Sequence, residues 1–245
     1  MPRHALDIAG RIVKQTVRDR RTLALITIVP IVVMTIIWLS FPAQKSLLNY
    51  VAPALLATLA LFFGFLLTGI SFLRERSQGT LERLMASPVS RLDIVLGYLL
   101  GFFVFALAQT LIILLFTIYA LKIDYRGDLW QIFVFQLVVL VSSINLGILI
   151  SAFARNEFQL VQFIPLIILP QAFLCGLLWP VEQMSSYLQW VAKFLPLTYA
   201  VDGMRGIMVD GKSLLDVGSD LGILAAFAVG ISAITALSLR RNSGG

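Results

Sequence analysis

Ionisable and sulfur-bearing side chains are scarce in this chain. Of its 245 residues, 13% are charged, against about 25% in a typical soluble domain. The single cysteine, Cys175, lies in an apolar run, which excludes an internal disulfide framework or a cysteine-based metal site. The single histidine is His4. No His or carboxylate cluster has metal-ligand spacing, and no nucleophile–base pair can be assembled. With 59% hydrophobic residues and a mean hydropathy of +0.91, the sequence is that of a polytopic membrane protein. The net charge of +6 does not point to nucleic acid, because no polar segment is long enough to form a binding domain.

What the chain does have is long uncharged runs. Six are predicted to span a bilayer, each near the roughly 20 residues required: Leu23–Phe41, Val51–Leu73, Ile94–Leu121, Leu129–Ala154, Phe158–Val181 and Leu221–Leu239. None contains Asp, Glu, Lys, Arg or His, which argues against a proton-driven carrier while leaving sodium sites built from carbonyls and hydroxyls open. Pro165 and Pro170 predict a kinked or broken fifth span. Gly97 and Gly101 in the third, and Gly147 and Ser151 in the fourth, have the spacing of close helix packing. Arg3, Arg11, Lys14, Arg18, Arg20 and Arg21, with Arg74, Arg76, Arg83, Arg91, Arg155, Arg240 and Arg241, fall on one side; Lys45, Lys122, Arg126, Lys193, Arg205 and Lys212 fall on the other. The excess predicts both termini in the cytoplasm.

Three connecting segments have a pattern of their own. Pro2–Arg21 is a basic amphipathic helix with a stripe of Leu6, Ala9, Val13 and Val17 flanked by Ala5, Ile8 and Ile12, expected to lie in the cytoplasmic interface. The basic region and the apolar run after it are too long for a cleaved signal peptide. Arg74–Asp93 is the polar, punctuated stretch between the second and third spans. Gly79 breaks the helix, Thr80 is the expected N-cap, Glu82 suits the first turn and Ser87-Pro88 ends it. Leu81, Leu84 and Met85 share one face of the short helix, and Ser90 precedes Asp93 at capping-box spacing. So short a helix is unstable alone and must pack on something. Glu182–Asp220 is the longest external connection. Short helices are expected at Ser185–Phe194 and at Tyr199–Val209 after Pro196, capping the outer face, with Trp179, Tyr187, Trp190 and Tyr199 at the outer interface.

Two kinds of motif need weighing. Gly206–Ser213, GIMVDGKS, matches the phosphate-loop pattern letter for letter, but no strand precedes it and no α/β domain surrounds it. It reads as a chance match in an external turn. Gln109, Gln136, Ser142, Ser143, Asn145, Gln162 and Gln171 are neutral polar residues inside spans. They serve either as interhelical hydrogen-bond donors and acceptors or as the lining of a pathway for a large amphipathic substrate.

ERSQGTLERLMASPVSRLDIVLG (Glu75–Gly97) and LPLTYAVDGMRG (Leu195–Gly206) resemble the two motif regions of ABC type 2 exporter permeases, with Leu195 where the family usually has Asn. The resemblance implies an all-α integral membrane protein with six transmembrane helices, an N-terminal connecting helix over residues 1–22 and one permease domain over 23–245. It implies a coupling loop at 74–93 and an external helical cap at 181–220. The implied ATPase-coupling residues are Glu75, Gly79, Thr80, Leu81, Glu82, Arg83, Leu84, Met85 and Pro88; Pro196, Tyr199 and Arg205 belong to the cap; Gln162, Pro165, Pro170 and Gln171 belong to the pathway. The chain itself would bind no cofactor. ATP and Mg would sit on two separate cytoplasmic ATPase subunits, beside a second permease copy or a related permease, in a bacterial or archaeal cell membrane. The expected cargo is a drug, antibiotic or lipid-linked molecule. An ion, a polysaccharide, or a non-transporting membrane enzyme or scaffold are the alternatives.

Overall fold

A computed structural model describes residues 2–85 and 89–241. Their order is α1 (Pro2–Arg18), α2 (Arg20–Ser40), α3 (Lys45–Ser77), α4 (Thr80–Met85) and α5 (Arg91–Leu115), which ends in a π-helical turn at Phe116–Ala120. Then follow α6 (Leu129–Ser151), α7 (Glu157–Leu174), a 3-10 turn at Val181–Gln183, α8 (Ser186–Ala192), α9 (Pro196–Met208) and α10 (Gly218–Arg241). Six of these helices, α2, α3, α5, α6, α7 and α10, are long and apolar enough to cross a membrane. Pro88 lies outside the described residues, as do the side chains of Leu81, Glu82 and Met85.

α3 and α6 form the centre. Their backbones approach closely because glycine removes the side chain where they cross. A Cβ on Gly147 would lie 2.7 Å from the Phe65 carbonyl oxygen, and one on Gly64 would meet the Ser143 hydroxyl. Between apolar helices, such close packing and a few interhelical hydrogen bonds supply the cohesion that lipid cannot. Ser143 Oγ donates to the Leu61 carbonyl, Gln136 Nε2 to the Leu56 carbonyl at 3.0 Å and Ser142 Oγ to the Leu224 carbonyl at 3.0 Å. Ser232 Oγ donates to Asn145 Oδ1 on α6. Gln136, Ser142, Ser143 and Asn145, four of the seven neutral polar residues singled out in the sequence, thus join helices. Gln109 is buried with neither amide atom bonded.

Four expectations need correction. The buried side of α1 is Ala5, Ile8, Ala9, Ile12 and Thr16, while Leu6 and Val17 face outward. Ala5, Ile8 and Ile12, the flanking residues, are covered together with Ala9 of the named stripe, because Ile8 and Ile12 drop onto Gly97 and Gly101 of α5. Thr80 is the first residue of α4 rather than the residue before it: the Gly79 carbonyl accepts from Arg83 N, and Gly79 turns the chain at φ +69°. Of the kink or break expected in α7, the break is absent: the helix continues through Pro165 and Pro170 and ends at Cys175-Gly176, where Gly176 adopts φ +84°. Last, α9 does not lie on the surface but packs into the bundle. Leu197, Ala200, Val201, Met204 and Ile207 are fully buried, and Gly203 lies against the ring of Phe135. An apolar helix with two charged residues stabilises more by burial among α3, α6 and α10 than by lying on a surface.

The phosphate-loop look-alike takes a helical path. Gly206 and Met208 end α9, Lys212 N donates back to the Gly206 carbonyl at 2.9 Å, and Gly211 supplies the left-handed turn at φ +70°. A helix stands where the motif needs a strand.

Candidate functional site

The site lies where α3 leaves the bundle and turns into α4. Successive residues on a helix point about 100° apart, so Arg74, Glu75 and Arg76 reach three different sets of neighbours. Arg74 faces the α1–α2 joint and the start of α7. Its Nη1 lies 3.1 Å from Asp19 Oδ2, and its Nε and Nη2 reach the two Glu157 oxygens at 2.6 and 3.3 Å. Asp19 is the N-cap of α2: it accepts from Thr22 N at 3.2 Å and the Thr22 hydroxyl at 2.6 Å. The Thr22 hydroxyl, then Arg74, hold its carboxyl below the usual range.

Glu75 faces inward and is only 4% exposed. Its Oε2 accepts from Arg11 Nη2 at 2.8 Å and from the Tyr98 hydroxyl at 3.0 Å. This ties α1 and α5 to the end of α3 through one buried carboxylate. Arg76 Nη1 donates to the Ser151 and Ala152 carbonyls at 3.2 and 2.8 Å. Those are unpaired carbonyls at the negative end of α6, where a cation is favoured. Three consecutive side chains thus bind the ends of α1, α2, α5, α6 and α7 into a collar around α3. A polar cavity of about 50 Å³ opens beside it, lined by Thr16, Asp19, Thr22, Arg74 and Glu75. It has room for a water molecule.

α4 extends directly from this collar. Arg83 is exposed; Leu84 is half-buried and packs on the chain's own core. Ser90 caps α5, its hydroxyl accepting from Asp93 N at 3.1 Å, as the spacing predicted. Glu75, grouped with the α4 residues in the sequence, is an internal tie rather than part of the exposed surface. Arg74, Arg76, Arg11 and Tyr98 were not singled out. The signal available was the RER triplet at the end of a span, where three charges on successive helical positions cannot all face water.

The other candidate residues lie elsewhere. Gln162, Pro165 and Pro170 share the exposed face of α7, with Leu166, Leu169 and Phe173. Gln171 points the opposite way, buried, and donates to the Ile167 carbonyl. Pro196 is the first residue of α9, and Tyr199, half-buried, donates its hydroxyl to the Lys193 carbonyl, while Trp179, Tyr187 and Trp190 are exposed. Arg205 is buried. Its guanidinium stacks 3.9 Å from the Tyr50 ring centre, and Nε donates to the Tyr50 carbonyl at 3.2 Å. It clamps α9 to the start of α3 beside a cavity of about 300 Å³ that also exposes Glu182, Asp202 and Lys212.

Asp202 is open to this cavity; partial desolvation by its wall, then the nearby Asp220, push its carboxyl up to about 6, with Arg205 opposing. A carboxyl raised in the folded state binds a proton there that the unfolded chain has already lost, so stability falls as pH rises from about 4 through 6. Asp202→Asn is therefore expected to raise the unfolding temperature at pH 7.5, and the gain should vanish as pH approaches 4. Thermal unfolding of both proteins across that range is the check; a pH-independent gain would exclude titration of Asp202 as its cause.

Comparison with known proteins follows the same architecture. The ABC-2 type transporter family profile matches residues 8–209. The chain is 32% identical over 158 residues to the linearmycin resistance permease protein LnrN of Bacillus subtilis, covering 64% of this chain and 41% of that one. It is 26% identical over 194 residues to the probable multidrug ABC transporter permease YbhS of Escherichia coli, covering 79% and 52%. It is 30% identical over 171 residues to ABC transporter G family member 20 of Dictyostelium discoideum, covering 70% and 23%. The chain thus spans between about a quarter and about half of the length of these relatives.

Proposed function

The chain belongs to the ABC-2 type transporter family, and we propose that it is the permease of an ATP-driven exporter that moves a hydrophobic or amphipathic compound outward. The observation that carries this reading is the direct continuity of α4 with the collar. A push on α4 from a soluble partner is delivered to the end of α3, and through Arg74, Glu75 and Arg76 to the ends of α1, α2, α5, α6 and α7. A set of helices joined by charge pairs and by hydrogen bonds to charged groups moves as a unit or switches as a unit. The spans offer no ionisable relay of their own, which favours an energy source outside the membrane. That source is a pair of ATPase subunits holding ATP and Mg and docking on α4, on the cytoplasmic side set by the basic excess.

The exposed apolar faces of α2 and α7 suit a second permease copy, with the cargo passing between the two. Gln162, Pro165 and Pro170 lie on that face of α7. The names of the B. subtilis and E. coli relatives support a drug- or antibiotic-like cargo.

Arg83 is the cleanest place to test docking, because it is exposed on α4 whereas Leu84 also packs on the core. Arg83→Glu is expected to reduce co-purification of the ATPase about tenfold, the effect of reversing one contact charge, with the amount of folded permease unchanged. Full retention of the ATPase by Arg83→Glu, Glu82→Arg and the double variant would sink α4 as the docking element.

A further inference from the structure

The end of the bundle opposite α4 holds a basic cavity that the proposed coupling and transport do not use. It measures about 150 Å³ and lies where α2 ends, α3 begins and the π-helical turn of α5 gives way to a loop. Lys45, Asn49, Lys122 and Trp38 line it. Below it, the same three helices leave a narrow apolar gap lined by Met34, Ile37, Ala52 and Leu55. The two spaces share Trp38, Leu48, Leu121 and Ile123 as walls, and the gap, at about 10 Å³, holds no more than a water molecule.

The charge of this cavity is unbalanced. Among the described residues neither Lys45 nor Lys122 forms an ion pair. Of the carboxylates in the adjoining loop, Asp124 accepts from the cavity-lining Asn49 Nδ2 at 3.1 Å and Asp128 from Gln131 Nε2 at 3.1 Å, and among the described residues neither pairs with a lysine. Lys122 has φ 54°, a left-handed conformation uncommon outside glycine. Such a backbone persists where the surrounding structure holds it. Here the Asn49–Asp124 pair of hydrogen bonds and the Ile123 N to Thr117 carbonyl bond hold the loop against α3 and α5. A Lys45 side chain in the first turn of α3, which carries no acidic residue, adds its charge to the positive end of that helix.

We propose that Lys45 and Lys122 bind the phosphate of an anionic phospholipid head group whose acyl chains stay in the surrounding bilayer. Charge and position agree on this occupant. Two ammonium groups without an ion pair and the Trp38 indole at the boundary of the apolar bundle suit a head group at the interface. A soluble anion would use the lysines alone. The site belongs to the leaflet at the end remote from α4, the outer leaflet in the orientation proposed above, and its test does not depend on that orientation.

The test uses the purified full chain in detergent, with binding of dihexanoylphosphatidylglycerol, dihexanoylphosphatidylcholine and inorganic phosphate measured separately. Each lysine near a lipid surface contributes about 1 kcal/mol, so Lys45→Ala with Lys122→Ala should weaken phosphatidylglycerol binding roughly thirtyfold. Lys45→Arg with Lys122→Arg should restore it to within a few-fold. Both lysines are exposed, and unfolding temperatures in lipid-free detergent should match across the variants, so a loss reports binding. Unchanged binding by the double alanine variant would overturn the proposal. So would phosphatidylcholine binding as tightly as phosphatidylglycerol, and so would inorganic phosphate doing the same, which would make this a free-phosphate site.

Discussion

Glu75→Ala is expected to lower the stability of the permease by about 2 to 3 kcal/mol. Breaking a buried charge pair by removing one partner costs about 3 to 5 kcal/mol because the other charge stays behind unpaired. The side chain of Glu75 is 5% exposed but that of Arg11 is 37% exposed, so water recovers part of the loss and the lower range applies. The Tyr98 hydroxyl, on a fully buried ring, also loses the carboxylate it donates to. Glu75→Gln keeps an acceptor for Tyr98 and should cost about half as much. Equilibrium unfolding in detergent of Glu75→Ala, Arg11→Ala and the double variant gives the coupling directly. Strictly additive losses would mean that the 2.8 Å pair carries no energy and that the collar is not a unit. A coupled pair with lost ATPase stimulation by cargo, and unaltered ATPase association, would locate Glu75 in transmission rather than docking.

Gly147→Val should be at least as damaging, by a different route. A Cβ at this position lies 2.7 Å from the Phe65 carbonyl oxygen, 3.0 Å from Thr68 Cβ and 3.1 Å from Gly69 N. Two of the three are backbone atoms and cannot swing aside. α3 and α6 must separate, and they are the two most buried spans of the six. Overpacking a tight core costs about 1 to 3 kcal/mol for one or two carbon atoms that can be accommodated by side chains; a backbone clash in the central pair exceeds that. Accumulation of folded protein in the membrane is expected to fall severalfold for Gly147→Ala and to near zero for Gly147→Val. Gly10→Ala provides the contrast. Nothing lies within 4 Å of a Cβ there, so removing a glycine from the interior of α1 should stabilise by up to about 1 kcal/mol. Equal accumulation of Gly147→Val and wild type would show that α3 and α6 do not cross at this point.

Much of the architecture is legible in the sequence because water and hydrocarbon are such different solvents. Uncharged runs of sufficient length had to become helices, since a backbone in lipid must satisfy its own hydrogen bonds. The six spans therefore stand within a few residues of expectation except where α3 starts, at Lys45 rather than Val51, and where α7 ends, at Leu174 rather than Val181; local signals placed Gly79 and the Ser90 cap of α5, while α9 starts at Pro196 rather than Tyr199. Composition fails to separate helix faces that meet lipid from faces that meet protein, because both are apolar. Leu25, Ile28 and Ile36 of α2 are exposed while Leu56, Leu61 and Leu67 of α3 are buried, and nothing in their chemistry distinguishes them. The stripe of α1 was misplaced for the same reason.

Arg74–Asp93 shows where the division falls. The sequence by itself determined that a polar, glycine-broken segment with a short helix interrupts two spans, because charge cannot enter the hydrocarbon and Gly79 relieves the left-handed turn. Only the tertiary structure decided that the triplet before that helix is the knot of the bundle. Arg74, Glu75 and Arg76 find partners 55 to 83 residues away for Arg74, 64 away for the Glu75 pair with Arg11, and 75 and 76 away for Arg76. Pairing across such distances depends on which helices lie side by side, and that is set by glycine-sized gaps in packing rather than by any local preference of the chain.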